Sequence, residues 1–446
     1  MPLINVAKHC SNIAKFLPSP GLIFVKGADV SIHPDSDTEL NFMQDSNMTY
    51  ISGVLEPGFS FLYDMFASKS ILIAPYISPD EAVWVGSPPS LDQLKTFYGV
   101  DQAIYPKDIQ PTLCNLNPSK IYKLDYQDSS LINTHKNIID SSSLLSAIHE
   151  ARVYKEPEEI EIMKKANYIS GISHTEIMKK SYLGLSESAV YGKFVGDILA
   201  AGCEREAYTT IVGRGTNAST LHYIKNNAQL NSEHDLVLVD AGASYRGYAS
   251  DITRTWPVGK KFTESARKIY QIVLDMQNAV IAAAKPHVKW EDMHILANSI
   301  AINGLLDLGI LVGDLKEITE SFVIGYFFPH GLGHFLGIDT HDCGGYPSGV
   351  ERIDKPGIRY LRVRRDLLPG MVLTVEPGLY FVDGLIEEAK SKPEIAKFID
   401  FEKVAQYNSV GGVRIEDNIL ITPEGNTNLT NVPKEIADIE AIRCTE

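Results

Sequence analysis

Two aspartates lie near one another in a segment with the pattern of a β-hairpin. Asp240 is near the end of the apolar run Leu236–Ala241, and Asp251 follows a group of turn residues. A hairpin centred between Tyr245 and Arg246 places Asp240 directly opposite Asp251, with side chains ~5 Å apart. Like charges at that distance are destabilising unless a cation lies between them. The alternative is a strand-end aspartate that points to solvent, but the facing pair favours metal ligation.

Three further residues with ligand side chains lie downstream, each beside a turn or within a strand. His334 is in the glycine-rich segment 329–337, where glycines allow the backbone to pass close to a site. Glu376 follows a strongly apolar strand at a point where the chain must turn, and Glu416 lies in another predicted strand. A single histidine or glutamate of this kind is commonly structural. Their coincidence with the facing aspartates predicts one shared site.

The charge of this predicted site is balanced when it holds two divalent ions. Its ligands are Asp240, Asp251, His334, Glu376 and Glu416. Four carboxylates contribute a charge of −4, which two divalent cations neutralise. Oxygen-rich ligation with one imidazole and no thiolate suits two Mn²⁺, and Co²⁺, Fe²⁺ or Zn²⁺ are alternatives by geometry. Two metals ~3.5 Å apart can deprotonate a bridging water, polarise a carbonyl and stabilise an oxyanion, which predicts hydrolysis.

The elements that carry these residues belong to the second of two predicted domains, 1–150 and 151–446. The first domain contains short strands, at 22–25, 71–74 and 82–85, after an amphipathic surface helix. In the second domain, helices are predicted from residue 155 onwards, at about 263–284 and at about 290–306. Strands are predicted at Leu236–Ala241, 371–375 and 413–421.

Composition excludes several classes of protein. The 446 residues carry a net charge of −15, with a pI near 5.3, which argues against a nucleic-acid-binding surface because such a surface needs clustered basic residues. No run approaches the ~18 apolar residues of a membrane-spanning helix. The five cysteines form no CxxC pair, which favours reduced thiols over a disulfide framework. We therefore expect a soluble cytoplasmic protein.

Seven short motifs around the candidate ligands resemble those of a known family. They are LHY at 221–223, VDAG at 239–242, SDITR at 250–254, HGLGH at 330–334, GIDTHD at 337–342, TVEPG at 374–378 and GVRIED at 412–417. They resemble the metallopeptidases with the pita-bread fold, in the proline-peptidase branch of prolidase and aminopeptidase P. Segments 42–45 and 52–58 are similar, less specifically, to the smaller domain of that branch.

The resemblance implies an α+β protein in which a smaller N-terminal α/β domain precedes a pita-bread catalytic domain. It implies two Mn²⁺ on the five ligands, a homodimer, and small peptide substrates with proline at the second position.

The resemblance also implies roles for residues around the ligands. Glu376 would act as general base as well as ligand. His222 and His341 would assist proton transfer and steady the scissile carbonyl or the oxyanion. His330 would shape the pocket around the substrate's proline, and Tyr208 would lie near the metals.

Two arginines complete the predicted site. Arg414 would orient the neighbouring carboxylate ligands. Arg362 belongs to a long arginine-rich segment after His341, which resembles eukaryotic prolidase. Guanidinium groups pair bidentately with carboxylates, so Arg362 would suit a substrate whose C-terminus lies inside the site.

We therefore expect an Xaa-Pro dipeptidase that acts through a metal-bridging hydroxide. The alternative is an Xaa-Pro aminopeptidase (aminopeptidase P) that releases the N-terminal residue from longer peptides. A third hypothesis is a non-catalytic pita-bread binding module, but such modules have lost metal ligands that this chain retains.

Overall fold

The computed structural model describes residues 3–444, apart from the side chains of residues 136 and 137. The chain forms two compact units, one that ends at Glu159 and one that begins at Ile160. The boundary predicted from the sequence, after residue 150, falls within a helix, Leu144–Val153, of the first unit.

The first unit is built on a mixed β-sheet. Its helices are α1 (Val6–Ala14), α2 (Ser46–Ser52), α3 (Pro79–Val85), α4 (Leu91–Tyr98), α5 (Ile109–Leu116) and α6 (Leu144–Val153), with 3-10 helices at Pro106–Asp108 and Ser130–Ile138. Its strands are β1 (Leu22–Lys26), β2 (Ser60–Asp64), β3 (Lys69–Ile73), β4 (Gln102–Ile104), β5 (Ile121–Tyr122) and β6 (Ile139–Asp140). They pair in the order β4-β3-β2-β1-β5-β6. Buried residues of the sheet, among them Phe24 and Leu62, form a core with Ile109 and Leu113 of α5.

One strand prediction in this unit is wrong. Residues 82–85 were predicted as a strand because of their apolar β-branched composition, but they belong to helix α3. The Ser78 side chain accepts a hydrogen bond from the Glu81 N–H, and the Glu81 carboxylate accepts one from the Ser78 N–H. Together with Pro79 in the first turn, this reciprocal cap favours a helix start over an extended chain.

The second unit contains several small sheets and long helices. Its helices are α7 (Pro157–Lys180, which begins in the first unit), α8 (Glu187–Ala200), α9 (Glu264–Ala283), α10 (Trp290–Asp307), α11 (Leu315–Ser321), α12 (Asp383–Lys390), α13 (Pro393–Ala396), α14 (Phe401–Ala405) and α15 (Ile436–Cys444), with 3-10 helices at Gly215–Ser219, Val323–Tyr326, Ile358–Tyr360 and Asn408–Val410. Its strands are β7 (Arg205–Glu206), β8 (Ile211–Arg214), β9 (Leu236–Ala241), β10 (Ala243–Tyr245), β11 (Tyr248–Ala249), β12 (Ile252–Pro257), β13 (Val372–Val375), β14 (Gly378–Tyr380), β15 (Gly412–Arg414), β16 (Asp417–Thr422) and β17 (Gly425–Asn428). Within residues 3–444, no helix is both long and apolar enough to cross a membrane.

Antiparallel pairing brings together the strands that carry or adjoin the predicted ligands. Strand β9 lies between β8 and β12, and β16 lies between β13 and β17. A bridge between Thr253 and Glu416 joins these two groups of strands. The predicted strand 413–421 is interrupted in the structure, because β15 ends at Arg414 and β16 begins only at Asp417. From α9, the Gln277 amide donates hydrogen bonds to the carbonyls of Val375 and Ile415, 3.1 and 3.0 Å away.

The register of the β9–β12 hairpin differs from the prediction by two residues. Asp240 pairs with Thr253, not with Asp251. The turn is centred on Arg246 and Gly247, which both have positive φ angles, 51° and 79°, as two-residue hairpin turns of type I′ require. Because alternate residues of a strand share a face, a shift of two keeps Asp251 on the same side as Asp240.

Candidate metal centre and active site

The sequence-predicted site residues line one cavity of about 630 Å³ in the second unit. All eleven contribute to its wall: Tyr208, His222, Asp240, Asp251, His330, His334, His341, Arg362, Glu376, Arg414 and Glu416. They come from loops and strand ends spread over more than 200 residues of sequence.

Tyr208 joins the two aspartates of the hairpin. Its hydroxyl lies 2.6 Å from Asp240 Oδ1 and 2.5 Å from Asp251 Oδ1, so the two carboxylates converge although they are not directly opposed. Gly242 allows the Tyr208 ring and the Ser250 backbone to pack close to the hairpin. A Cβ at position 242 would lie 1.8 Å from the Ser250 carbonyl oxygen and 3.0 Å from the Tyr208 ring. Burial, and then the charge of Asp240, raises the pKa of Tyr208 well above its usual value, so the phenol keeps its proton.

His334 has the tautomer that a metal ligand needs. Its Nδ1 is 2.9 Å from the Phe335 carbonyl oxygen, which can only accept, so Nδ1 carries the proton. Nε2, the nitrogen left for a metal, faces Asp251 Oδ2 at 3.3 Å and Glu376 Oε1 at 3.4 Å. Burial alone would lower the pKa of His334, but the hydrogen bond to Asp251 and the charge of Glu376 outweigh it and raise that pKa. Gly333 lets this segment pack against β13, since a Cβ there would lie 2.1 Å from the Thr374 carbonyl oxygen. The hydrogen bond from Nδ1 to the Phe335 carbonyl fixes the orientation of the His334 imidazole ring.

The two glutamates enter the cavity from β13 and from the break before β16. Glu416 is buried, and its Oε2 accepts a 2.6 Å hydrogen bond from the Thr253 hydroxyl. Glu376 is more open, with 18% of its side chain exposed. The hydroxyl of Thr374 is 3.4 Å from Glu376 Oε1, a weak contact that leaves this carboxylate largely uncommitted.

The donor set fits divalent cations. Ligand atoms of Asp251, His334 and Glu416 lie within 4.8 Å of one another, and Asp240 and Glu376 adjoin them through Tyr208 and His334. Burial, together with the charges of Asp251 and Glu376, raises the pKa of Glu416 well above its usual value, and burial raises the pKa of Glu376 to about 7. These shifts express uncompensated negative charge, which oxygen-seeking divalent ions would neutralise.

Arg414 begins a directed chain of hydrogen bonds that ends at His330. Its Nη2 donates to Asp240 Oδ2 at 2.6 Å, and its Nη1 donates to the Tyr380 hydroxyl at 2.8 Å. The Tyr380 hydroxyl lies 2.9 Å from His330 Nε2, while His330 Nδ1 donates to the Gly331 carbonyl at 2.8 Å. Tyr380 therefore donates to His330, whose ring has no further N–H to give. Burial and the charge of Arg414 lower the pKa of His330 to about 3, which keeps it neutral.

His222, His341 and Arg362 lie on the open side of the cavity. The His341 ring is edge-on to the His334 ring, with centroids 4.4 Å apart. Burial, and then the neighbouring His334, lowers the pKa of His341 to about 3. Within residues 3–444, neither His222 nor His341 has a hydrogen-bond partner, and Arg362 is exposed. These three side chains are available to a substrate.

Three residues of the site were missed from the sequence. Tyr380 links Arg414 to His330, and Thr253 and Thr374 support the two glutamates. A signal existed for the threonines, because Thr253 is two residues after Asp251 and Thr374 two before Glu376, so each shares a strand face with a predicted ligand.

Comparison with known proteins identifies the family. The model of metallopeptidase family M24 matches residues 161–423, which include every predicted ligand. The chain belongs to metallopeptidase family M24. Residues 5–122 match the aminopeptidase P N-terminal domain. The M24 assignment confirms the metallopeptidase prediction, and both matches confirm the predicted α+β architecture with a smaller first domain.

Relatives of this M24 chain favour one of the two predicted activities. A probable Xaa-Pro aminopeptidase of Sordaria macrospora is 40% identical over 98% of this chain and 95% of that protein. A variant of Escherichia coli aminopeptidase P is similar in structure, with a TM-score of 0.84 and 30% identity, covering 99% of this chain and 98% of that one. A zinc-substituted E. coli aminopeptidase P with bound product has a TM-score of 0.83, 31% identity and the same coverage. These names support the aminopeptidase alternative better than the dipeptidase that we placed first.

Proposed function

We propose that this M24 metallopeptidase is an Xaa-Pro aminopeptidase that uses two divalent ions, with Mn²⁺ as the first candidate. The group of four carboxylates and His334 on the cavity wall carries the proposal, because it is a charge-unbalanced donor set, and its members Asp251, His334 and Glu416 are buried with ligand atoms within 4.8 Å of one another. A proline-specific enzyme is required for such peptides since the Xaa-Pro amide has no N–H and the proline ring fixes φ. We further propose a cytoplasmic homodimer.

Asp240, Asp251, His334, Glu376 and Glu416 would hold the ions. When bound, two divalent ions polarise the scissile carbonyl and lower the pKa of water. The arrangement of Asp240 supports a ligand role without proton transfer, because its two oxygens already accept hydrogen bonds from Tyr208 and Arg414.

Glu376 is the best candidate for the general base. Its side chain is more exposed than that of Asp240, at 18% against 14%, and Asp251 and Glu416 are almost wholly buried. Its contacts are long, since Oε1 lies 3.4 Å from both the Thr374 hydroxyl and His334 Nε2, and Oε2 lies 3.9 Å from His330 Nδ1. A carboxylate that faces the cavity with uncommitted oxygens can accept a proton from water and return it to the leaving amine.

The three cavity histidines outside the proposed ligand set would divide into two roles. His330 donates its only N–H to Gly331 and accepts from Tyr380, so it can shape the proline pocket but cannot donate a proton. His222 and His341 have free ring nitrogens and can hydrogen-bond the substrate carbonyl or the developing oxyanion.

Arg362 supports a second candidate function, the Xaa-Pro dipeptidase. Its exposed guanidinium on the cavity wall can pair with a carboxylate that lies next to the scissile bond. In an aminopeptidase, the same group would contact the backbone of a longer peptide. The Arg362→Gln variant separates these cases, because only a dipeptidase depends on charge pairing with the substrate's C-terminus.

Hydrolysis of Gly-Pro-Ala and Gly-Pro, each with Mn²⁺ and with a chelator, tests the proposal. We expect metal-dependent release of glycine from the tripeptide at an efficiency well above that for the dipeptide. Gly-Gly-Ala is the control for proline specificity, and Glu376→Gln is the control for a contaminating peptidase. Cleavage of Gly-Pro alone, lost in Arg362→Gln, would establish the dipeptidase. Inactivity on both peptides in a metal-loaded protein would overturn both activities.

A further inference from the structure

Glu187, the first residue of α8, has a fully buried carboxylate outside the metal cluster. Its Oε1 accepts hydrogen bonds from the Arg214 N–H at 2.8 Å and the Asn217 amide at 3.0 Å. Its Oε2 accepts from the Tyr223 hydroxyl at 2.9 Å and the Ala228 N–H at 2.8 Å. An ionised carboxylate has about four acceptor positions, so these four donors occupy all of them.

The four donors belong to one segment of the chain, 214–228. Arg214 ends strand β8 and Ala228 closes the segment, so Glu187 ties together its two ends. The Glu187 N–H also donates to the Ala228 carbonyl, 2.9 Å away. Between the ends, regular structure is confined to the 3-10 helix Gly215–Ser219. Hydrogen bonds to a buried charge therefore replace the secondary structure that would otherwise fix this segment.

The same segment brings His222 to the cavity. His222 is exposed and has no hydrogen-bond partner within residues 3–444, so its position depends on its backbone. The next residue, Tyr223, is anchored on Glu187 and also lies 3.0 Å from the Asn217 amide. Burial, and then the hydrogen bond to Glu187, raises the pKa of Tyr223, so the phenol remains a donor.

We propose that Glu187 and Tyr223 are positioning residues that hold His222 over the substrate cavity. The inference rests on the proposed peptidase function, because it assigns His222 a role in that reaction. The Glu187–Tyr223 bond acts through His222 and touches neither the metals nor the substrate. Its loss would let the His222 backbone move while the metal cluster stays intact.

Tyr223→Phe tests the proposal through a double-mutant cycle with His222→Ala. Loss of one hydrogen bond to a charged acceptor should lower kcat/KM for Gly-Pro-Ala about tenfold, with metal content unchanged. In the His222→Ala background, the same substitution should have no further effect, because the imidazole that Tyr223 positions is already absent. A general structural defect would instead lower activity by the same factor in both backgrounds.

Tyr126→Phe is the matched control. The Tyr126 hydroxyl also donates to a carboxylate, Asp45 at 2.8 Å, and accepts from an amide, Asn47 at 2.9 Å, but these residues lie in the first unit. It should leave kcat/KM unchanged. If Tyr223→Phe fails to fold, Glu187→Gln in both backgrounds gives the same test. Full activity of folded Tyr223→Phe, additive losses, or full activity of His222→Ala would each overturn the positioning role of Glu187 and Tyr223. An inactive wild-type enzyme would overturn the proposed function instead.

Discussion

Glu416 and Asp417 are adjacent residues whose carboxylates belong to two different clusters. The cluster around Asp417 is balanced in charge, and the cluster around Glu416 is unbalanced. Asp417 Oδ1 accepts from Arg254 at 2.7 Å, and Oδ2 accepts from Lys434 at 2.8 Å and from Asn428 at 2.7 Å. Burial alone would raise the pKa of Asp417, but the two cations outweigh it and lower that pKa. For Glu416, burial and neighbouring carboxylates act together and raise the pKa.

The difference distinguishes a structural cluster from one built for a ligand. Around Asp417, the chain supplies its own cations, so the cluster is complete within the protein. Around Glu416, the chain supplies more acids, and Arg414, the cation that acts on the Glu416 carboxylate, is paired with Asp240. A buried charge that lacks a partner is costly, so an unbalanced acidic cluster indicates a cationic ligand from outside the chain.

Removal of a ligand from the unbalanced cluster should have the largest effect. Asp251→Asn keeps the size of a buried side chain but removes a charge that faces His334 at 3.3 Å. We expect activity on Gly-Pro-Ala to fall by a factor of about 1,000 or more, with the fold retained, because metal ions are lost. Activity, circular dichroism and metal content by elemental analysis check the prediction. Wild-type activity in a metal-verified variant would contradict the site assignment.

Removal of the acid from the balanced cluster should instead affect stability. Asp417→Asn leaves the buried Arg254 and the nearby Lys434 without their anion, which should cost about 3–5 kcal/mol of the free energy of unfolding. The molecules that remain folded should keep kcat within about threefold of the wild type, since Asp417 does not line the cavity. Urea unfolding and active-site titration measure the two effects. An activity loss as large as that of Asp251→Asn would remove the distinction between the clusters.

The candidate ligands could be proposed from local sequence, but the balanced cluster could not. Each candidate ligand lies at a strand end or beside glycines, and such features are visible within a few residues. Arg254 and Asp417 are 163 positions apart, and nothing local in either segment indicates that they meet. Prediction of the hairpin register failed by two residues because the turn residues themselves, Arg246 and Gly247, decide it.

Other parts of the fold and function could not be predicted from the pattern of residue types alone. A reciprocal cap outweighed the β-branched composition of residues 82–85, so a predicted strand is a helix. The arginine-rich segment around Arg362 suggested a dipeptidase, although guanidinium groups recognise carboxylates and peptide carbonyls alike. The hydrogen bonds to Glu187 escaped prediction because their donors are 27 to 41 residues away in the chain.

The pH dependence of the metal-free protein should separate the clusters further. Burial raises the pKa of Glu376 from 4.5 to about 7, so the folded state binds a proton that the unfolded state lacks between these values. This group therefore contributes stability below pH 4.5 that is lost as the pH rises through 7, and from pH 7.5 to 5.5 the gain should be on the order of 2 kcal/mol.

The Glu376 contribution is measured as the difference between wild type and Glu376→Gln, both metal-free. This subtraction is needed because buried histidines such as His294, whose pKa burial lowers to about 3, act in the opposite direction below pH 6.5. The lowered pKa of Asp417 contributes stability above 3.8, which is lost only at lower pH, so Asp417→Asn should not change the slope between pH 7.5 and 5.5. Equal slopes in wild type and Glu376→Gln would refute the assigned charge imbalance.

Deletion of one neutral side-chain donor from each cluster should produce the smallest effects and the sharpest contrast. Thr253→Val removes the hydroxyl that donates to Glu416 Oε2 and accepts from Arg414 Nε. Asn428→Ala removes the amide that donates to Asp417 Oδ2 and accepts from the Thr430 N–H. The first should weaken metal binding about tenfold, because Glu416 loses the group that orients it. The second should cost about 1 kcal/mol of the free energy of unfolding and leave metal affinity unchanged, since Arg254 and Lys434 still hold Asp417. Metal titration and urea unfolding of both variants compare the clusters directly, and an equal loss of metal affinity in the two would show that they act as one.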